Sequence, residues 1–106
     1  FDDGAIDAFV REREPSWQPL FAQLQYAPIQ RVDLFRYLAV YHWGGFYLDL
    51  DVAIRQSLHP LLHEPSRCVF PFERLVDRGV HSTLHAVGST AMIGQYAFGA
   101  APRHPF

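Results

Sequence analysis

The 106 residues contain no lysine and no asparagine, so arginine supplies all nine basic side chains. Without asparagine, the chain has no acceptor for N-linked glycosylation. The single cysteine, Cys68, excludes a disulfide within the chain and is expected to be a small, buried apolar side chain. No run of about 18–20 apolar residues is present, so the sequence predicts no membrane-spanning helix.

Neither sign of charge is in large excess. The formal net charge is -2, whereas a nucleic-acid-binding domain usually carries a strongly basic surface. We therefore expect no nucleic-acid partner. What the chain has instead is apolar side chains, with 49% hydrophobic and 15% aromatic residues. That composition excludes a disordered chain and predicts one folded domain or a part of one.

The spacing of apolar residues predicts helices in the first half of the chain and strands in the second. Ile6, Phe9 and Val10 recur at helical spacing behind an acidic cap. Gly44 and Gly45 end the longest predicted helix, because glycine adopts the left-handed cap conformation without steric cost. This order of elements predicts an α/β fold. Helices are predicted over residues 4–14, 17–26 and 29–43, strands over 46–52, 67–72 and 91–101, and a loop with a short helix over 74–90.

Two carboxylates, Asp49 and Asp51, lie one residue apart on the predicted strand 46–52. Side chains alternate along a strand, so both would point to one face, roughly 7 Å apart, while Leu48 and Leu50 would be buried on the other. Paired carboxylates suit a hard divalent cation such as Mg²⁺, which also takes substrate phosphates as ligands. The alternative is two solvent-exposed aspartates where a strand meets a loop.

A charged pair also lies within the apolar predicted helix 29–43. Asp33 and Arg36 are three residues apart, so they share a face with Tyr37 and Val40 and can pair. Charges in such surroundings are costly unless they are well hydrogen-bonded. One interpretation is a structural ion pair. The other is that both residues bind a polar, anionic ligand beside the cation, because arginine presents a fork of donors to phosphate or hydroxyl oxygens.

These residues carry a resemblance to a known family. The run RVDLFRY at 31–37, followed by YHWGGFYLDLD at 41–51, matches the pattern R-x-D-x-x-R-Y, a helix that ends in G-G, and then Y-x-D-x-D. That pattern resembles glycosyltransferase family 32, the group with a sugar-binding region containing a DXD motif. The group includes initiation α-1,6-mannosyltransferases and inositol-phosphorylceramide mannosyltransferases. Residues 2–15 and 97–106 also resemble segments of that family.

The resemblance implies a GT-A fold, with a mixed, mostly parallel sheet and flanking helices, and an enzyme that transfers a sugar from a nucleoside diphosphate sugar to an acceptor hydroxyl with retention. It implies that Asp49 and Asp51 are the catalytic and metal-binding residues, with Mn²⁺ or Mg²⁺ as the cofactor. Asp51 would coordinate the metal directly. Asp49 would contact the ribose or sugar of the donor and reach the metal through water. Asp33 and Arg36 would hold the hydroxyls of the donor sugar, and no protein general base is assigned.

The resemblance also leads us to expect that residues 1–106 are the central part of a single GT-A domain, incomplete at both ends. The acceptor would be a glycan or a glycolipid. Members of the family are usually Golgi membrane proteins facing the lumen if eukaryotic, and otherwise cytoplasmic. Any membrane attachment would come from segments outside this chain.

Other interpretations of the sequence remain open. The same fold could be a non-catalytic relic that binds nucleotide sugars without turning them over. A metal-dependent phosphohydrolase also uses a D-x-D motif, but it would need a lysine, which the chain lacks. His81 and His85, four residues apart, could bind a metal if that segment were helical.

Overall fold

The computed structural model describes residues 2–63, 67–75 and 91–106. The chain divides into two compact units, a helical unit, Phe1–Ala39, and a sheet unit, Val40–Phe106. The helices are α1 (Asp3–Arg13), α2 (Gln18–Gln23) and α3 (Pro28–Trp43), with 3-10 turns at Pro15–Trp17, Leu24–Tyr26 and His59–His63; the strands are β1 (Gly45–Leu48), β2 (Cys68–Val69), β3 (Phe72–Leu75), β4 (Ala91–Ile93) and β5 (Ala97–Ala100).

Helix α1 begins and ends at the residues that its sequence signals indicate. The Asp2 side chain accepts a hydrogen bond from the Ala5 amide at 2.8 Å, and such a cap contributes about 1 kcal/mol. At the other end, the Glu14 amide donates to the Val10 carbonyl at 2.9 Å, and Pro15 follows. The predicted helix 4–14 is therefore confirmed within a residue or two.

The second predicted helix, 17–26, is shorter than expected. The six residues of α2 lie between two 3-10 turns, and prolines stand at the start of the first turn and of α2. Each proline removes a backbone donor, so the hydrogen-bond ladder cannot run unbroken through this stretch.

The helical unit is held together by one apolar cluster. Phe21 and Val10 are each only 1% exposed, and burying side chains of this kind contributes about 1.5–3 kcal/mol each. The Phe9 and Phe35 rings meet edge to face with their centroids 5.4 Å apart. The cluster comprises Ile6, Phe9, Val10, Phe21, Phe35 and Leu38.

Arg31 joins α1 to α3 by charge. Its side chain is 7% exposed and its guanidinium donates to Asp3 Oδ1 at 3.1 Å and to Asp7 Oδ1 at 2.5 Å. The two carboxylates are 80% and 59% exposed, so the acids remain hydrated while the base does not. Arg31 Nε has no hydrogen-bond partner among the described residues, which shows how completely the guanidinium is taken out of water.

Two glycines turn α3 into β1. The Gly44 amide donates to the Val40 carbonyl at 2.7 Å, and Gly44 and Gly45 have φ values of +68° and +89°. A Cβ on Gly44 would lie 2.6 Å from Cδ of Pro102, whereas a Cβ on Gly45 would meet nothing within 4 Å. Glycine at position 44 therefore permits both the positive φ and the close contact with Pro102. The predicted end of the helix after Trp43 is confirmed.

The sheet unit contains a three-stranded sheet in the order β1-β5-β2 and a separate pair, β3-β4. Strand β1 pairs antiparallel with β5 from Gly45↔Ala100 to Leu48↔Ala97. Phe98, on the central strand, is 2% exposed, and its ring stacks on Phe70 at 5.2 Å. This aromatic contact forms the core beneath β1.

Several predicted strand boundaries are wrong, including the end of the predicted strand 46–52, which the structure places at Leu48. The predicted strand 67–72 is divided between β2 and β3, because Pro71 has no amide to donate to a ladder. The predicted strand 91–101 is divided between β4 and β5, which belong to different sheets. Strand β3 also extends into the predicted loop 74–90, of which residues 76–90 lie outside the described ranges.

Helices and sheet occur together, in agreement with the predicted α/β class. Within the described ranges every strand pair is antiparallel, whereas the family resemblance implies a mixed, mostly parallel sheet. None of the helices in the described part of the chain has the length and apolar character that a membrane crossing requires.

Replacing Gly44 and Gly45 separately should show how much stability comes from the Pro102 contact and how much from the positive φ values. We expect Gly45→Ala to lower the free energy of unfolding by about 1–2 kcal/mol, because L-residues are strained at positive φ. Gly44→Ala adds the clash with Pro102 and should cost about 2–4 kcal/mol. Denaturant unfolding measures both changes. Equal losses for the two variants would show that the Pro102 contact has no energetic weight.

Removing Asp7 and removing Arg31 should lower the free energy of unfolding by different amounts. Asp7→Ala should lower the free energy of unfolding by about 1–2 kcal/mol, because it leaves a buried guanidinium short of a partner. Arg31→Met removes the buried charge and leaves two hydrated carboxylates, so it should cost less. Glu12→Ala, at an exposed position of α1, is the control and should change stability by less than about 0.5 kcal/mol. A larger loss for Arg31→Met than for Asp7→Ala would contradict this account.

Candidate active site

Asp49 is fixed at the end of β1 by both its backbone and its side chain. The Asp49 amide donates to the Tyr96 carbonyl at 2.8 Å, one residue past the last β1–β5 pair. The Tyr47 hydroxyl donates to Asp49 Oδ1 at 2.6 Å. Asp49 is half-buried. This carboxylate is therefore held in place before any ligand arrives.

Asp51 lies in different surroundings, because the strand ends at Leu48 rather than continuing to residue 52. Leu50 and Asp51 occupy a turn, which the Val52 amide closes by donating to the Asp49 carbonyl at 3.0 Å. The expectation that Leu50 is buried is wrong, since its relative exposure is 107%. Strand alternation consequently does not extend to Asp51, so it does not place the two carboxylates on one face. The β1–β5 pairing ends at Leu48↔Ala97, and beyond it the Asp49 amide makes one last bond to the Tyr96 carbonyl before the turn.

The carboxylates of this turn fit a hard divalent cation. Asp51 is exposed and makes no hydrogen bond or ion pair with another residue in the described ranges. Within those ranges no group of three or more His, Cys, Asp or Glu side chains could enclose a metal ion. Mg²⁺-type sites commonly use one or two carboxylates and complete their shell with water and substrate phosphates. The two carboxylates of the motif are the ligand number that such an open site uses.

The predicted Asp33–Arg36 pair forms on α3. Arg36 Nη2 lies 2.9 Å from Asp33 Oδ1, and the two side chains are 8% and 44% exposed. The Arg36 guanidinium also lies over the Tyr37 ring, 5.7 Å from its centroid. An arginine this buried orients its partner, while the half-exposed carboxylate can still meet a ligand from solvent. The structural and the ligand-binding interpretations are thus compatible.

A family model supplies the deciding comparison. Residues 4–67 match the model described as "Glycosyltransferase sugar-binding region containing DXD motif". The chain belongs to this DXD glycosyltransferase family. The matched span contains Asp33, Arg36, Asp49 and Asp51, so every residue proposed for the site from the sequence lies inside the family region.

Individual members of the DXD glycosyltransferase family resemble nearly the whole chain. It is 32% identical over 104 residues to the mannosyl phosphorylinositol ceramide synthase CSH1 of Saccharomyces cerevisiae, covering 98% of this chain and 23% of that protein. It is 33% identical over 106 residues to inositol phosphoceramide mannosyltransferase 1 of Schizosaccharomyces pombe, covering 98% and 27%. The chain thus spans about a quarter of the length of these curated relatives. No solved structure matches it.

Tyr47 had no predicted role of its own, although it is part of the pattern Y-x-D-x-D. Its spacing from Asp49 is the signal that could have predicted one. Tyr47 and Asp49 are two residues apart where β1 ends, so strand alternation places both on one side of the chain. A phenol hydroxyl beside a carboxylate in that register predicts the hydrogen bond that the structure shows.

The sheet unit also contains a cavity and a cysteine, neither of which is assigned to the DXD turn. A cavity of about 190 Å³ is lined by Gly45, Phe46 and Gly99 among others, at the opposite end of β1 from Asp49. Cys68 is half-buried, and burial raises the pKa of its thiol, which makes it a poor nucleophile near neutral pH. His81 and His85 lie outside the described residues.

Proposed function

We propose that the intact protein transfers a sugar, with mannose as the first candidate, from a nucleoside diphosphate sugar to a glycolipid of the inositol phosphoceramide class. The observation that carries this proposal is the arrangement at the end of β1, where a fixed Asp49 precedes an exposed, uncommitted Asp51 in a DXD family sequence. The choice of sugar and acceptor is supported by the names of the relatives. A glycan acceptor is the alternative outcome of an acceptor screen.

Asp51 is proposed as the direct metal ligand and Asp49 as the residue that binds the donor. Asp51 is suited to its role because its exposed carboxylate has no competing hydrogen bond or ion pair among the described residues. Asp49 is suited to directional recognition because its backbone and one carboxylate oxygen are already held. A bound Mn²⁺ or Mg²⁺ would supply a Lewis acid that stabilises the negative charge of the departing diphosphate.

Asp33 and Arg36 are proposed to hold the hydroxyls of the donor sugar. The half-exposed carboxylate of Asp33 can accept hydrogen bonds from sugar hydroxyls. Arg36 fixes that carboxylate from one side through its 2.9 Å ion pair. Because Arg36 already orients the Asp33 carboxylate, that carboxylate can select hydroxyls by direction and needs little movement on binding.

In the proposed reaction the bond between the anomeric carbon and the diphosphate oxygen breaks, and a bond from the acceptor hydroxyl oxygen to the same carbon forms with retention. The hydroxyl proton leaves with the departing diphosphate or with solvent. The contribution of the described residues is to bind and orient the donor and to place fixed charges near the breaking bond. We assign no protein general base.

Three further expectations are retained as part of the proposal. The chain is proposed to form the central part of a GT-A domain, and membership of the DXD glycosyltransferase family is what supports the GT-A assignment. The protein is proposed to act at the Golgi membrane on the lumenal side, which suits yeast-type relatives that modify ceramide lipids. Membrane attachment is assigned to segments outside these residues.

Asp51→Ala tests the proposal in the intact protein. We expect it to reduce transfer from the nucleotide sugar by at least about 100-fold at saturating Mn²⁺, because an open site with two carboxylates has little to replace a lost ligand. Product formation with a radiolabelled donor measures the change. Glu12→Ala, which removes an exposed carboxylate from α1, is the matched control and should retain normal turnover.

Wild-type turnover by Asp51→Ala would contradict the role given to that residue. Binding of nucleotide sugar without transfer by the unmodified protein, across both glycolipid and glycan acceptors, would instead favour the non-catalytic relic.

A further inference from the structure

We propose that the Tyr47 hydroxyl is a positioning group that sets the orientation of Asp49 for donor binding. This inference rests on the proposed function, because it assigns Tyr47 a task within the same site. Tyr47 is not proposed to touch the donor or the metal; it acts through the carboxylate of Asp49.

The Tyr47 ring is anchored to the core of the sheet unit. Tyr47 lies opposite Phe98 in the β1–β5 register, and the two ring centroids are 5.4 Å apart. Phe98 is 2% exposed and stacks in turn on Phe70, with an interplanar angle of 6°. A tyrosine ring has only two side-chain torsions, so these contacts also fix where its hydroxyl lies.

The Tyr47 hydroxyl contacts the Asp49 carboxylate where the β1–β5 pairing ends. The O···O distance of 2.6 Å from Tyr47 to Asp49 Oδ1 is in the short range typical of hydrogen bonds to a charged acceptor. The backbone of Asp49 has one last sheet-like bond, to the Tyr96 carbonyl, and beyond it the chain enters the turn that contains Asp51. Without Tyr47, the Asp49 side chain would keep its backbone position and lose this direct restraint on its orientation.

The two carboxylates of the motif therefore differ in how strongly their orientation is restrained. Asp49 is held by a rigid aromatic core through one hydroxyl, whereas Asp51 has no such restraint among the described residues. A fixed carboxylate suits directional recognition of a sugar or ribose hydroxyl, and an adaptable one suits a cation that is also bound by water and phosphate. Tyr47 therefore contributes to the difference between the two acids of the motif.

Tyr47→Phe in the intact protein tests this inference, because it keeps the ring and removes only the hydroxyl. We expect kcat/KM for the nucleotide sugar to fall by about 10–100-fold, as is typical when a partner of a ligand-binding group is removed. The thermal unfolding midpoint should change little. Tyr96→Phe is the matched control, since Asp49 is bonded to the carbonyl and not to the hydroxyl of Tyr96, and it should retain normal kcat/KM.

A double-mutant cycle provides a readout that a purely structural role would not affect. If Tyr47 acts through Asp49, adding Tyr47→Phe to Asp49→Ala should cause no further loss of kcat/KM. Independent, multiplicative losses would overturn the inference, as would normal kcat/KM in Tyr47→Phe alone. Failure of the proposed function is distinguishable, because the unmodified protein would then show no transfer and Asp51→Ala would have nothing to abolish.

Discussion

The reversal from α3 to β1 within two residues is the constraint on which the sheet unit depends. Gly44 and Gly45 both have positive φ, and Pro102 occupies the space that a Cβ on Gly44 would need. That contact joins the start of β1 to the segment that follows β5, and the Arg103 amide adds a hydrogen bond to the Tyr41 carbonyl at 2.7 Å. Because the start and register of β1 are fixed in this way, the end of its ladder is fixed too, and Asp49 falls one residue beyond it.

The two buried arginines of the R-x-D-x-x-R-Y motif on α3, Arg31 and Arg36, make different ion pairs. Arg31 and Arg36 are both buried, yet Arg31 is shared between two exposed acids of α1, while Arg36 pairs with an acid of its own helix. The first arrangement secures the helical unit. The second orients a half-exposed carboxylate. The support of a donor site by Arg36 is a proposal, and it rests on the half-exposed Asp33 partner rather than on the burial of Arg36, which Arg31 shares.

Local signals in the sequence were sufficient for α1 and α3, but insufficient for the extent of α2 and for the strands. The Asp2 cap, the Pro15 stop and the glycine pair each act within a few residues, so α1, α3 and the break after Trp43 could be predicted. The end of β1 depends on where β5 begins, about fifty residues later, and no local pattern contains that information. For the same reason Leu50 was expected to be buried and is fully exposed. At the candidate site the acids and the Asp33–Arg36 pair were predicted, but the Tyr47 bond was not.

The central claim is that the DXD turn forms the metal-dependent donor half of a glycosyltransferase site. Titration calorimetry of the intact protein with nucleoside diphosphate sugars, GDP-mannose first, tests it most directly when performed with Mn²⁺ and again with excess chelator. The account predicts binding of one donor in Mn²⁺ that is lost or greatly weakened on chelation. Equal affinity under both conditions, or no binding of any nucleotide sugar in Mn²⁺, would contradict it.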